Sequence, residues 1–139
     1  MQELFTALKV KFDANQAAGS VYAAVGGRYY LFDAPQNATM PYIVLSHIGQ
    51  TPLYTFTETL EQPKVQFTII SKSYAETEVC DIYKKLIALY DESTISPVDY
   101  SDVLVRRAFS ILRKEDEPTT SGMRVYYYVV DYNIILQVN

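Results

Sequence analysis

His47 and Cys80, together with a few clustered carboxylates, are the side chains in this sequence that could do chemistry near neutral pH. The chain has one histidine and one cysteine. An imidazole-based acid/base or nucleophilic site would therefore have to be built on His47. Its neighbour Ser46 does not complete such a pair, because both fall in a β-branched run and strand alternation sends them to opposite faces. Cys80 sits at the edge of an apolar helical face, with nothing basic before it in that helix to favour the thiolate, and reads as a small core residue. One histidine and one cysteine do not make a zinc site of ordinary spacing. The carboxylates of Glu115, Asp116 and Glu117 occur in a polar turn, where a charge run is ordinarily solvated. Gly26-Gly27 lacks the further glycines and the Lys-Ser/Thr of a phosphate-cradling loop. Asn37-Ala38-Thr39 matches a glycosylation triplet, a match that arises often by chance. The residues thus give no support to catalysis, and no cofactor or metal is expected.

The elements that carry these residues can be read from periodicity. Leu4, Phe5, Leu8 and Phe12 share one arc at helical spacing, which predicts an amphipathic helix over residues 2–14. Gly19-Ser20 and Gly26-Gly27 punctuate the next stretch, residues 28–32 read as a short strand, and residues 35–41 as a loop. Residues 42–48 and 64–70 are rich in β-branched and aromatic side chains and read as strands. Between them, the Thr-rich residues 50–62 are too long for a plain hairpin loop and predict an extended arm or a pair of strand extensions. Ser73 and Glu76 have the spacing of a capping box. A helix is expected from there to about Asp91, burying Val79, Ile82, Tyr83, Leu86, Ile87 and Tyr90, with Asp81 and Lys85 forming an i,i+4 pair. Two long strands, 103–113 and 123–138, flank a polar turn with Pro118 and Gly122. From Ile134 both faces of the last strand are apolar, which predicts cover on both sides. The order α-β-β-β-α-β-β argues for an α+β fold, a mostly antiparallel sheet with two helices packed on one face.

Composition bounds the function classes. A chain of 139 residues is expected to form one domain, residues 1–139, with a core of its own. With 49% hydrophobic and 20% charged residues it has the balance of a globular fold. Thirteen tyrosines and no tryptophan suit half-buried sheet faces and interfaces. A net charge of −4, with no basic run longer than two residues, disfavours stable nucleic-acid binding. A single cysteine excludes an internal disulfide. The N-terminus lacks an apolar signal region, and no apolar run reaches membrane length, so the expectation is a protein made in the cytoplasm with no membrane partner.

The stretch Gly26-Gly27-Arg28, Asp33-Ala34-Pro35-Gln36 and Pro41-Tyr42-Ile43-Val44 resembles the phage tail-completion proteins, the tail terminators that join tail to head in long-tailed phages. The resemblance extends to the N-terminal helix, the helix from Ser73, and the acidic, Gly-containing turn from Glu115 to Gly122. Residues 50–62 and the run Tyr126-Tyr127-Tyr128 have no counterpart in that pattern. The resemblance implies a structural virion protein: a homo-oligomeric ring, expected to be hexameric, that caps the tail tube and forms the tail-side half of the head–tail joint. The implied partners are other copies of the chain, the tail tube protein and the head connector or stopper, with DNA passing through the lumen without specific binding. An acidic chain suits such a lumen. Ring closure requires two different patches per subunit. Leu53, Tyr54, Phe56 and Leu60 in the arm, with Glu115, Asp116 and Glu117 in the turn, are the candidate interface residues. Covering their own core is the competing role for the arm's apolar residues. Two alternatives stay open: another neck component such as a head-completion or stopper protein, and a small ligand-binding domain with a Tyr-lined pocket.

Overall fold

The computed structural model describes residues 2–54, 59–95, 97–115 and 122–138; of residues 51–54, 59, 102, 103 and 138 it describes the backbone alone. Helix α1 (Gln2–Ala14) is followed by a short helix α2 (Val21–Ala24) and strand β1 (Tyr29–Leu31). Strands β2 (Tyr42–Tyr54) and β3 (Thr59–Ser73), helix α3 (Thr77–Tyr90), and strands β4 (Tyr100–Lys114) and β5 (Arg124–Val138) complete the chain. The five strands form one sheet in the order β1-β2-β3-β5-β4. All pairings are antiparallel except β1 with β2. The expected α+β class is therefore the observed one.

Both long helices pack on one face of the sheet, as the apolar arcs require. Phe12 of α1 lies 4.7 Å from the Tyr29 ring, and Tyr90 of α3 stacks on Phe67 at 4.8 Å. Phe67 also meets Tyr132 edge-on at 5.8 Å. These rings, with Leu4, Leu8, Ile43, Leu45, Ile69, Leu86 and Ile134, are buried and form one continuous core. The Tyr90 hydroxyl donates to the Leu8 carbonyl at 2.7 Å, so the last turn of α3 is tied to the middle of α1. At the other side of α3, Tyr83 stacks on Tyr128 at 3.9 Å and its hydroxyl meets the Ser110 hydroxyl at 3.0 Å. Burial of this core, rather than helix propensity, holds α1 and α3 in place.

Several expectations need correction. The capping box at Ser73 does not form: β3 runs through Ser73, α3 begins at Thr77, and Glu76 at its N-cap makes no side-chain cap. Ser73 lies too far back along the extended chain, and its hydroxyl accepts from the Ala75 amide instead. Helix α2 was not evident from periodicity because four residues carry none; Ser20 caps it by accepting from the Ala23 amide at 3.1 Å. The end of β5 is covered on one side: Ile134 and Leu136 are buried, while Ile135 is half-buried on the other face. The Asp81–Lys85 pair does form, at 3.0 Å.

The Gly-Gly-Arg stretch is scaffold. Gly26 and Gly27 have φ of +60° and +72°, the left-handed region that favours glycine. A Cβ at Gly27 would stand 2.8 Å from the Tyr22 ring. The turn they make aims Arg28 across the loop, where its Nε donates to the Pro41 carbonyl at 2.9 Å, and the Ile43 amide donates to the Arg28 carbonyl at 3.0 Å. The Met40–Pro41 peptide is cis. Arg28 thereby ties the Gly-Gly turn to the start of β2.

Candidate interaction surface

The residues considered for catalysis are dispersed. His47 lies on the helix-covered face with its ring 5.8 Å from Phe5, and its Nε2 is buried without a hydrogen-bond partner among the described residues. Ser46 pairs with Gln66 on the opposite face. Cys80 is half-buried and packs against the core. Among the described residues no group of three His, Cys, Asp or Glu side chains could hold a metal ion.

The polar network at the end of α3 is structural. Tyr132 donates to Asp91 Oδ1 at 2.6 Å, Arg107 lies 3.4 Å from Asp91 Oδ2, and Arg107 donates to the Tyr83 hydroxyl at 2.6 Å. Burial pushes the phenols of Tyr29, Tyr90 and Tyr132 up, and at Tyr132 the hydrogen bond to Asp91 adds to it. A phenol raised in the folded state keeps its stabilising share below the unfolded value of about 10 and loses it as pH climbs through the folded value. Stability is therefore expected to fall above pH about 10, and ultraviolet titration should show a group of tyrosines ionising only as circular dichroism reports unfolding. Titration of all thirteen with the fold intact would contradict this burial.

The face of the sheet away from the helices is open. Strand register places three rows across it: Tyr42, Ile70, Tyr127 and Arg113; Val44, Thr68, Val129 and Ile111; Ser46, Gln66, Asp131 and Phe109. Tyr30 joins the first row through its ring contact with Tyr42 at 5.6 Å. Phe109 is 55% exposed and Ile48 49% exposed, which is unusual for side chains of their size. Lys64, opposite Asn133 and Arg106, borders the apolar centre at one end, and Lys72 with Arg113 at the other. Asp131 on the same face accepts from Gln66 at 2.9 Å, and Arg106 lies 3.5 Å from Glu92. The hydrogen bond to Glu115 raises the Tyr127 phenol to about 12.

The candidate interface residues fall near the two ends of this face. Leu53 and Tyr54 end β2, their backbones opposite Leu60 and Thr59, so residues 50–54 and 59–62 are paired strand extensions. Leu60 is half-buried and pairs with Gln137, on the open face. Glu115 comes just after β4, exposed, and accepts from Tyr127 at 2.6 Å. Phe56, Asp116 and Glu117 lie outside the described residues. The arm and the open face thus share one continuous surface at Leu60, whereas Glu115 stands near its other end. Phe109, Ile111 and Ile70 were not singled out from sequence, although apolar residues on both faces of β3 and β4 carried the signal.

A core sealed on one side, an open aromatic sheet face on the other and dispersed reactive groups define a structural assembly domain. The family model described as Tail completion protein gp17 matches residues 12–137, and the chain belongs to that family. It is a structural protein of a phage-type tail and a virion component. A chain in the solved structure titled "Virion of native gene transfer agent (GTA) particle" has the same fold, with a TM-score of 0.72 and 13% identity over 94% of this chain and 96% of that one. No curated protein sequence matches the chain. None of the helices among the described residues is long and apolar enough to cross a membrane.

Proposed function

We propose that the protein closes the tail tube as a homo-oligomeric ring, expected to be a hexamer, and forms the tail-side half of the head–tail joint. Membership of the tail completion family over residues 12–137 is the observation that carries this reading. The open sheet face supports it, because a monomer with no partner would ordinarily cover or charge such a surface. The tail tube protein and the head connector are the partners this role requires, and DNA passes through the lumen without specific binding. The arm of residues 50–62, with Leu53, Tyr54, Phe56 and Leu60, and the turn of Glu115, Asp116 and Glu117 supply contacts to neighbours or tube. Purified tail tubes mixed with the protein and imaged by negative stain are expected to carry one ring at one end. Tubes that stay bare, while filled heads bind the protein, would assign it to the head side of the joint instead.

A further inference from the structure

Two long stretches of sheet edge carry backbone groups with no partner among the described residues. On one side, β1 pairs with Ile43, Val44 and Leu45 of β2, and the Phe32 amide donates to the Leu45 carbonyl at 2.8 Å. No backbone bond follows along that edge. On the other side, the Val105 amide of β4 donates to the Ser93 carbonyl at 3.2 Å, and none follows it outward. A bulge at Ile48 and another at Ala108 interrupt the register near the start of each open run. Beyond them, residues 49–54 and 109–114 are regular strand and equal in length. The Glu115 amide donates inward to the Val125 carbonyl at 2.9 Å, so alternation turns the backbone groups of Ser110, Leu112 and Lys114 outward. On β2, where Ile43 and Leu45 face β1, the same alternation stepped once by the bulge turns those of Gln50, Pro52 and Tyr54 outward. Such edges are templates for a further strand.

Direction and charge select the strand that fits. β2, β3, β5 and β4 alternate in direction, so β4 runs opposite to β2. A second copy that continues the sheet in the same sense therefore brings its β4 antiparallel to β2, the more stable pairing. Pairing β4 with another β4 would gather Arg113 and Lys114 of both copies on one short ladder. Neither has an ion-pair partner among the described residues, and like charges across strands repel. Residues 46–54 contain no Lys, Arg, Asp or Glu, so β2 receives β4 without that repulsion. Pairing β2 with another β2 would lose a donor at Pro52 twice. Either self-pairing is also isologous, whereas a cyclic ring needs the heterologous match of β2 with β4. Phe109 and Leu112, on opposite faces of β4, and Ile48 on β2 are exposed in the subunit and would gain cross-strand neighbours.

We propose that the outer edge of β4 in one copy adds to the outer edge of β2 in the next, residues 109–114 antiparallel to 49–54. One sheet then runs on through the ring. This rests on the proposed ring and names the edges that close it.

Proline is the probe, because at an outward-facing position it removes a free N–H and spares the ladder within the subunit. Leu112→Pro blocks β4 and keeps β2 open, and Gln50→Pro does the reverse. Each alone should raise the concentration for half-assembly, monitored by native mass spectrometry, at least about tenfold. Mixed, they should give a discrete two-chain species that extends no further. Unchanged assembly of either variant, absence of the mixed species, or a homodimer of either variant overturns the proposal. A second measurement needs no variant and holds even where proline costs the fold. Site-resolved hydrogen exchange of the parent should slow at the Ser110, Leu112 and Lys114 amides by at least about tenfold on assembly. Rapid exchange at these amides in the assembled chain overturns the pairing. Tube capping separates this from the function: bare tubes with edge-dependent assembly would defeat the capping role and uphold the edges. Capped tubes with edge-independent assembly would do the opposite.

Discussion

Phe67→Ala is expected to cost about 3–5 kcal/mol of folding stability, the range for removing a buried aromatic from a packed core. For a chain of this length the melting temperature should fall by roughly 10 °C or more. The reason is the position of the ring. Phe67 is fully buried on the central strand β3, stacked on Tyr90, edge-on to Tyr132, and 6.3 Å from Tyr29. Truncation leaves a cavity beneath three other aromatics and removes the surface on which Tyr90 rests. Tyr90 is also the residue that ties α3 to α1 through the Leu8 carbonyl, so the loss reaches both helices. Phe109→Ala is the matched control. Its ring is 55% exposed on the same sheet, and removing it should shift the melting temperature by no more than about 2 °C. Calorimetric scans of the two variants under one buffer would check this, and equal losses would mean that the core is not centred on β3.

The contrast between those two phenylalanines shows what the sequence could and could not reveal. Helices α1 and α3 were legible because their apolar residues repeat locally at 3.6, and the long strands because Tyr126, Tyr128, Val130 and Tyr132 alternate. Both signals lie within one element. The partner of each element does not. Parallel pairing of β1 with β2 depends on a loop that returns the chain to the same end of the sheet, held by Arg28 on Pro41. Likewise, a phenylalanine in a strand is apolar whether it meets a helix or solvent. Phe67 lies beneath α3 and Phe109 lies on the far face, a distinction set by the side on which the helices dock. The capping pattern at Ser73 failed for a related reason, since pairing with Arg124 of β5 extends β3 through that residue. Sheet pairing there overrides a local preference. Among the candidate interface residues, the arm was legible as something longer than a turn, and its strand pairs at Gln50, Thr51, Pro52, Leu53 and Tyr54 bear that out. The more exposed aromatic face was hidden in the alternation of strands whose other face is the core.

Shortening that arm is expected to abolish capping while leaving the fold intact. Pro52 and Glu61 stand directly opposite each other, so joining them through Asn-Gly in place of residues 53–60 gives the two-residue hairpin that right-handed strand twist favours. Leu60, the residue of the deleted segment whose burial is described, is not a member of the buried core. The pairing lost to β5 is that of Leu60 with Gln137, next to the end of the ladder, whereas Glu61 with Leu136 remains. Stability should change by about 1 kcal/mol, a melting shift of about 4 °C or less. The functional effect should be far larger, because β1 pairs only with Ile43, Val44 and Leu45 of β2. Past that point the outer edge of β2 is left open by β1, and the segment to be removed contains Leu53, Tyr54, Phe56 and Leu60. Removing those four side chains takes away the apolar contacts proposed for the tube or the neighbouring subunit. Tubes mixed with the shortened chain should stay bare in negative stain at concentrations where the parent caps every tube. Rings that form without capping would direct the arm at the tube, and monomers would direct it at the neighbouring subunit. A shortened chain that still caps tubes would remove the arm from either contact and leave residues 53–60 with no role beyond covering their own strands.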